Sequence, residues 1–407
     1  MEVAEAIEAL RRVGDVEAAA EAGVLAAHGA WRGGRTPEAQ ERLRAARGLL
    51  DGRPPSRALA AVLAEMARVD LFAGRRSDSL EASTAALRLA EQLGLDGMRA
   101  NVLTTLGVAE FMDGDVDAAN GLFEQAVEVG WEASPSEAAR ALTNLSVVAD
   151  AAGDREGLEE WTRRAVEYAT RLGDRTILLW LEGAEMRATH DSGRWDETLT
   201  VCDAFLDETA TLGGHYLDRF ALELRGSVLA ARGDVAGAAR DLERSLDGIE
   251  AVTDVQSVVP SYVGAATICV LLGDVRRAAG LLERALPIAR RSPHRAPTIT
   301  GEAATTIAYA GRGAEWLAHF ETLAPTRRVE AARLVFAGRT VEAAEAYARF
   351  AGPAEEAPVR LLAARQLAEA GRRAEADVQL RRALAFYRAV GATHIVREAE
   401  ALLAQPA

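Results

Sequence analysis

The chain contains no lysine; every one of its 47 basic residues is an arginine. That removes two common devices at once, the phosphate-loop lysine and the Schiff-base lysine. A GC-rich genome is the plain explanation, and selection for bidentate guanidinium pairing would push the same way. Cysteine is almost as scarce. Cys202 and Cys269 stand far apart, each inside an apolar stretch, and read as buried free thiols of a reducing compartment. Aromatics make up only 5% of the residues, whereas Ala, Leu, Glu and Arg abound, which favours helices over β-sandwiches. No apolar run approaches the roughly 18 residues that a membrane-spanning helix needs. The opening MEVAEAIEALRR carries acids where a signal peptide would carry an apolar core. A cytoplasmic location with no membrane partner is therefore expected.

Catalytic signatures are missing too. There is no HExxH, CxxC or GxSxG, and Gly311-Arg312-Gly313 lacks the rest of a phosphate loop. The six histidines, His28, His190, His215, His294, His319 and His394, never pair at helical i, i+4 spacing. No cofactor, no metal and no enzymatic activity are expected. The net charge of −14 repels phosphate backbones and argues against direct nucleic-acid binding.

What is present is a repeat. Gly followed by Asp or Arg recurs at Gly34, Gly74, Gly114, Gly153, Gly193, Gly233 and Gly273, at spacings of 40, 40, 39, 40, 40 and 40. A chain of 407 residues outgrows a single core, and a periodic array is one solution. Each glycine ends one apolar-periodic run and precedes another. Val102, Leu103, Leu106, Val108, Ala109 and Phe111 form one helical face, and Ala118, Ala119, Leu122, Phe123, Ala126 and Val127 form the next. Gly114 suits a left-handed helix terminus, and Asp115 a helix cap. Counting this way gives about 22 helices. The register is regular over 1–292. Over 293–407 the repeats become irregular, ending in a capping helix from Thr393 to Ala404, continuous with the first part. ARRSPHRAP, around Pro293, marks the best position for a bend.

Three local patterns invite sharper readings. Asp113, Asp115, Asp117 and Glu124 match four positions of a calcium loop, but Ala118 stands where that loop needs Gly, so a capped repeat turn is the expectation. The acidic pairs Glu159-Glu160 and Glu355-Glu356 read as solvated surface rather than acid–base machinery. Trp31, Trp161, Trp195 and Trp316 sit near turns and are expected to pack between neighbouring helix pairs.

The unit formed by Leu106-Gly107, Phe111, Gly114-Asp115, Ala119, Phe123 and Ala126 resembles the tetratricopeptide repeat, and Arg225-Gly226, Gly233-Asp234, Ala238 and Leu242 follow it more loosely. Ser146, Met186 and Ala266 replace the small Gly elsewhere, and the period exceeds the family's usual one. The resemblance implies an all-α, right-handed superhelical solenoid of antiparallel helix pairs. The segments Ala26–Arg35, Gly52–Arg68 and Arg382–Ala404 are further similar to the C-terminal arms of LuxR-type regulators with a nucleotide-switched ATPase core and of ATPase-linked class III adenylyl cyclases. Those parents carry ATPase, cyclase or DNA-binding modules that this chain lacks. Met1 opens straight into a helix without a capping residue, so a fragment, or a gene that lost its upstream modules, is expected.

In such arrays the first helix of each pair lines the concave face. Carrying the groove positions over by register gives Glu65, Arg68, Asn101, Thr105, Arg140, Asn144, Trp180, Arg187 and His190. Asn144 falls where the family often places an Asn that clamps a peptide backbone, and Arg140 and Arg187 suit a carboxylate. The function implied is a non-catalytic regulatory arm that binds a protein, a peptide or a small inducer. The alternative is a free-standing adaptor joining two proteins, and an enzyme of unrecognised type is the remote third.

Overall fold

A computed structural model describes residues 3–32, 35–152, 154–173, 175–212, 214–251, 255–291, 299–323 and 325–404. These contain 22 α-helices and no strand. A lone helix, α1 (Val3–Arg12), precedes ten pairs. The pairs are α2 (Val16–Arg32) with α3 (Thr36–Leu49), α4 (Arg57–Phe72) with α5 (Arg76–Leu93), and α6 (Asp96–Asp113) with α7 (Val116–Ala133). Then come α8 (Pro135–Ala152) with α9 (Arg155–Leu172), α10 (Arg175–Asp191) with α11 (Trp195–Thr211), and α12 (Asp218–Arg232) with α13 (Val235–Leu246). Next are α14 (Val255–Leu271) with α15 (Val275–Arg290) and the shorter α16 (Gly301–Tyr309) with α17 (Gly313–Phe320). The last pairs are α18 (Arg327–Phe336) with α19 (Thr340–Phe350) and α20 (Pro353–Glu369) with α21 (Arg373–Ala389), followed by α22 (Thr393–Ala404).

The repeated glycine does what its spacing suggests. Gly114 ends α6 at φ +89°, a conformation that a side chain with Cβ resists. Asp115 then accepts a hydrogen bond from the Ala118 backbone N–H at 3.0 Å, which caps α7 and identifies this acidic stretch as a turn. Asp234 and Asp274 cap α13 and α15 in the same way. Where Arg follows the glycine there is no side-chain cap. Instead Arg35, Arg339 and Arg372 each reach an acid three residues on, Glu38, Glu342 and Glu375. The acid in the first turn still faces the positive end of the helix dipole. Gly107 serves packing: a Cβ there would lie 2.6 Å from the Phe123 ring, which is fully buried.

The described residues fall into two compact units, one within Met1–Val148, Leu158–Leu178 and Glu250–Ser257, the other within Ala149–Gly157, Leu179–Ile249 and Val258–Ala407. In the first unit α2, α4 and α6 lie side by side over small apolar cores, such as the one joining Ala20, Ala46, Leu50, Ala58 and Val62. Trp31 stacks on Phe72 of the next pair at 5.4 Å.

The second unit departs from an open row of pairs. Its last helices return to α11 and α12, and Trp195, Val228 and Ala231 share one core with Leu361, Leu384, Tyr387 and Ile395. Thr393 donates to the Arg232 carbonyl at 2.7 Å, and the Arg232 guanidinium donates to the Val390 carbonyl at 3.1 Å. The expected terminal helix α22 therefore covers α12, some 160 residues earlier, as well as α21. Glu355 also corrects an expectation. It is 2% exposed, not solvated, because α18 brings Arg328 against it. The candidate bend at Pro293, and the repeat glycines Gly34 and Gly153, lie outside the described residues.

Candidate functional site

In the first unit Glu65, Arg68, Asn101, Thr105, Arg140 and Asn144 form one polar ladder across four first helices. Glu65 on α4 lies 2.9 Å from His28 Nδ1 on α2 and 3.3 Å from Arg68 Nη1. Arg68 Nη2 lies 3.8 Å from Glu137 on α8. Glu137 accepts from Arg140 Nε and from Asn101 Nδ2, each at 2.7 Å. Arg140 Nη2 donates to the Asn101 carbonyl at 2.8 Å, where Thr105 also donates at 3.2 Å. Asn144 donates to the Arg140 carbonyl at 2.8 Å.

One contact links first helices that are not adjacent. Arg68 on α4 reaches past α6 to Glu137 on α8. Burial raises the carboxyls of Glu65 and Glu137, but Arg68 and Arg140 outweigh it and hold both below the ordinary range. Burial and the Arg68 charge lower the Arg140 guanidinium. Two acids and two arginines thus neutralise each other, with His28 at the end.

Exposure separates these residues. Glu65, Arg68 and Thr105 are buried, so their groove-facing register positions are filled by contacts within the protein. Arg140 keeps 26% of its side chain exposed, and Asn144 and Asn101 are half-buried. Asn144 uses one amide hydrogen bond and retains further donor and acceptor capacity. Three buried atoms of the ladder, Arg68 Nε, Arg68 Nη2 and Asn101 Oδ1, have no hydrogen-bond partner among the described residues. Sequence reasoning missed His28 and Glu137. Glu137 was findable, because it stands three residues before Arg140 on the same helix face.

The remaining candidates, Trp180, Arg187 and His190, belong to the second unit, where Arg187 and His190 meet at Asp191. Trp180 packs against His215 and Tyr216 at 5.3 and 5.1 Å between ring centres. His190 is 3% exposed, stacks on Trp195 at 5.7 Å and places Nδ1 3.1 Å from Asp191; it is a core residue, because Trp195 opens α11 directly beneath it. Arg187 lies over the Phe220 ring at 5.1 Å and 3.6 Å from Asp191, with 29% of its side chain exposed.

Behind Arg187 is an ion-pair network that the sequence did not reveal. Arg328 donates to both oxygens of Glu355 at 2.7 and 2.6 Å and to Asp150 at 2.9 Å. Glu355 also accepts from the Gly301 N–H at 3.1 Å. Burial, aided by the Asp191 charge, pushes the Glu355 carboxyl up while Arg328 opposes it. Nearby on α12, burial pushes Glu223 to about 8, against a hydrogen bond from Ser261. Burial also raises the free thiols Cys202 and Cys269 to about 12 and about 11, which makes both poor nucleophiles. No helix among the described residues is long and apolar enough to cross a membrane.

No protein-family model matches the sequence, and a comparison with curated proteins finds no match. The fold does have solved counterparts. A Rap protein complexed with competence and sporulation factor is similar at TM-score 0.54 and 13% identity, over 92% of this chain and 99% of that one. NprR in complex with its cognate peptide NprX is similar at TM-score 0.52 and 11% identity, over 81% of this chain and 97% of that one. A tetratricopeptide repeat protein from Parabacteroides merdae aligns over 66% of this chain at 16% identity and a TM-score of 0.37. The fold is thus a tetratricopeptide-like helical array.

Proposed function

We propose that the chain is a non-catalytic regulatory repeat protein that binds a peptide or an extended protein segment along the first-helix face of its first unit. The observation that carries this reading is the polar ladder itself. Buried charges stabilise a fold little, and an apolar face would pack the same helices at less cost. The ladder ends in a partly exposed Arg140 and an Asn144 amide with spare hydrogen-bonding capacity, groups that suit a carboxylate and a peptide backbone. Rap and NprR, which share the fold, are each seen with a peptide or factor bound. Asn144 and Arg140 would make the contact, with Asn101, Glu65, Arg68 and Thr105 fixing their positions.

Selection from a displayed library of random heptapeptides tests this. The wild-type chain should enrich a family of sequences, and Asn144→Ala should lose that enrichment while keeping its helicity. Equal enrichment on both would remove the site, and no enrichment on either would remove the peptide-binding reading. A finer reading follows the likeness to signalling arms: binding here biases an attached output module. The adaptor alternative has no such module, and an immunoblot of the native product separates the two by mass.

A further inference from the structure

The pair α12–α13 carries an ion pair where most pairs carry apolar residues. Arg225 and Asp241 occupy register sites that hold Leu106 and Leu122 in α6–α7, Leu145 and Trp161 in α8–α9, and Ala265 and Leu281 in α14–α15; in α10–α11 they hold Val201 and an exposed Glu185, so the buried acid Asp241 is the exception. Asp241 is 3% exposed and takes both oxygens to the Arg225 guanidinium, at 2.7 and 2.6 Å. A buried ion pair that replaces an apolar pair usually costs stability, so something other than folding accounts for it.

Beside it lies a cleft of about 310 Å³ between α11 and α13, floored by α12. That is near the lower limit of about 300–1,000 Å³ for ligand clefts. Leu199 and Leu229 form an apolar wall, and Gly237 opens the side. Arg240 and Arg244, one turn apart on α13, line the same cleft; both are exposed and have no ion-pair partner among the described residues. The third nitrogen of Arg225, Nη1, is held at 2.5 Å by Asp203. Asp203 is 59% exposed, so water and salt weaken that contact and an incoming anion can displace it.

We propose that this cleft binds a small organic carboxylate. Its head group exchanges with Asp203 at Arg225 Nη1 and is flanked by Arg240 and Arg244, and its short apolar body lies on Leu199 and Leu229. The site is independent of the peptide-binding face of the first unit. Asp241 keeps the Arg225 fork fixed from behind, which leaves one guanidinium edge aimed into the cleft.

Isothermal titration of the full chain with hexanoate, its uncharged counterpart hexanamide and inorganic phosphate tests the assignment. Hexanoate should bind one site per chain, and hexanamide and phosphate at least about tenfold more weakly, one ion contact being about a factor of ten. R240Q/R244Q should weaken hexanoate by about tenfold or more without loss of helicity, since both side chains are exposed and unpaired. Asp203→Asn should tighten it, because the competing anion is gone; a purely structural Arg225 would give no such gain. The proposal is overturned if hexanoate gives no heat at millimolar concentration, if hexanamide or phosphate binds equally well, or if the arginine variants leave affinity unchanged.

Discussion

Arg328→Met is the most informative single change in the second unit. Arg328 is 5% exposed at its side chain and supplies both hydrogen bonds that neutralise Glu355, itself 2% exposed, together with a bond to Asp150. Methionine keeps the stem and removes the charge. Glu355 is then left with the Gly301 N–H alone and with Asp191 nearby. Removing one partner of a buried pair typically costs about 3–5 kcal/mol. Protonation of Glu355 sets a limit. Keeping a carboxyl of ordinary value 4.5 neutral at pH 7 costs about 2.5 units at 1.36 kcal/mol each, or about 3.4 kcal/mol. At pH 5 the same escape costs under about 1 kcal/mol. The variant should therefore lose about 3 kcal/mol at pH 7, near that limit, and under about 1 kcal/mol at pH 5. Adding Glu355→Gln to Arg328→Met should recover stability at pH 7 but not at pH 5. Because a chain of two units need not unfold in one step, the readout is amide hydrogen exchange in α18 and α20 beside the urea transition. A penalty that is absent, or independent of pH, would refute the argument.

Three other outcomes follow from the structure. Glu223 has a folded value of about 8, so its contribution to stability is fully present below about pH 4.5 and is lost as pH rises to about 8. Glu223→Gln should thus be more stable than wild type at pH 9, with the difference shrinking towards pH 5 in urea unfolding; a gap that does not change with pH would contradict this. Gly114→Val places a β-branched residue at φ +89° and should cost at least about 1 kcal/mol by thermal denaturation; no loss would mean the turn is misread. Gly107→Ala drives a Cβ to within 2.6 Å of Phe123 and should cost about 1–3 kcal/mol in the same assay, an overpacking that Phe123→Leu relieves; a neutral Gly107→Ala would show that the ring moves freely.

The fold was legible because it repeats. Gly114-Asp115 carries both the helix stop and the next cap, and its recurrence at a nearly constant spacing exposes the architecture without any tertiary information. The first unit's ladder was partly legible for the same reason, since Glu65, Asn101 and Arg140 stand at related positions of successive first helices. Burial was not legible. Register gives the face on which a residue lies but not whether a neighbour seals it, and so Glu65 and Arg68 turned out to hold each other. The second unit was the least legible part. Arg328 meets Asp150 from 178 residues away and α22 meets α12, contacts that no local period encodes. Glu355 is buried by Arg328 of the preceding pair and the Gly301 backbone, contacts that the helical period does not reveal either.

The most direct test of the central claim is a binding isotherm for one library-selected heptapeptide on the wild-type chain and on Asn144→Ala, with hydrogen exchange recorded on both. The account predicts binding that weakens by about tenfold or more in the variant, the loss of one or two peptide-backbone hydrogen bonds, with peptide-induced protection confined to α6 and α8. Unchanged affinity, or protection that falls elsewhere, would contradict it.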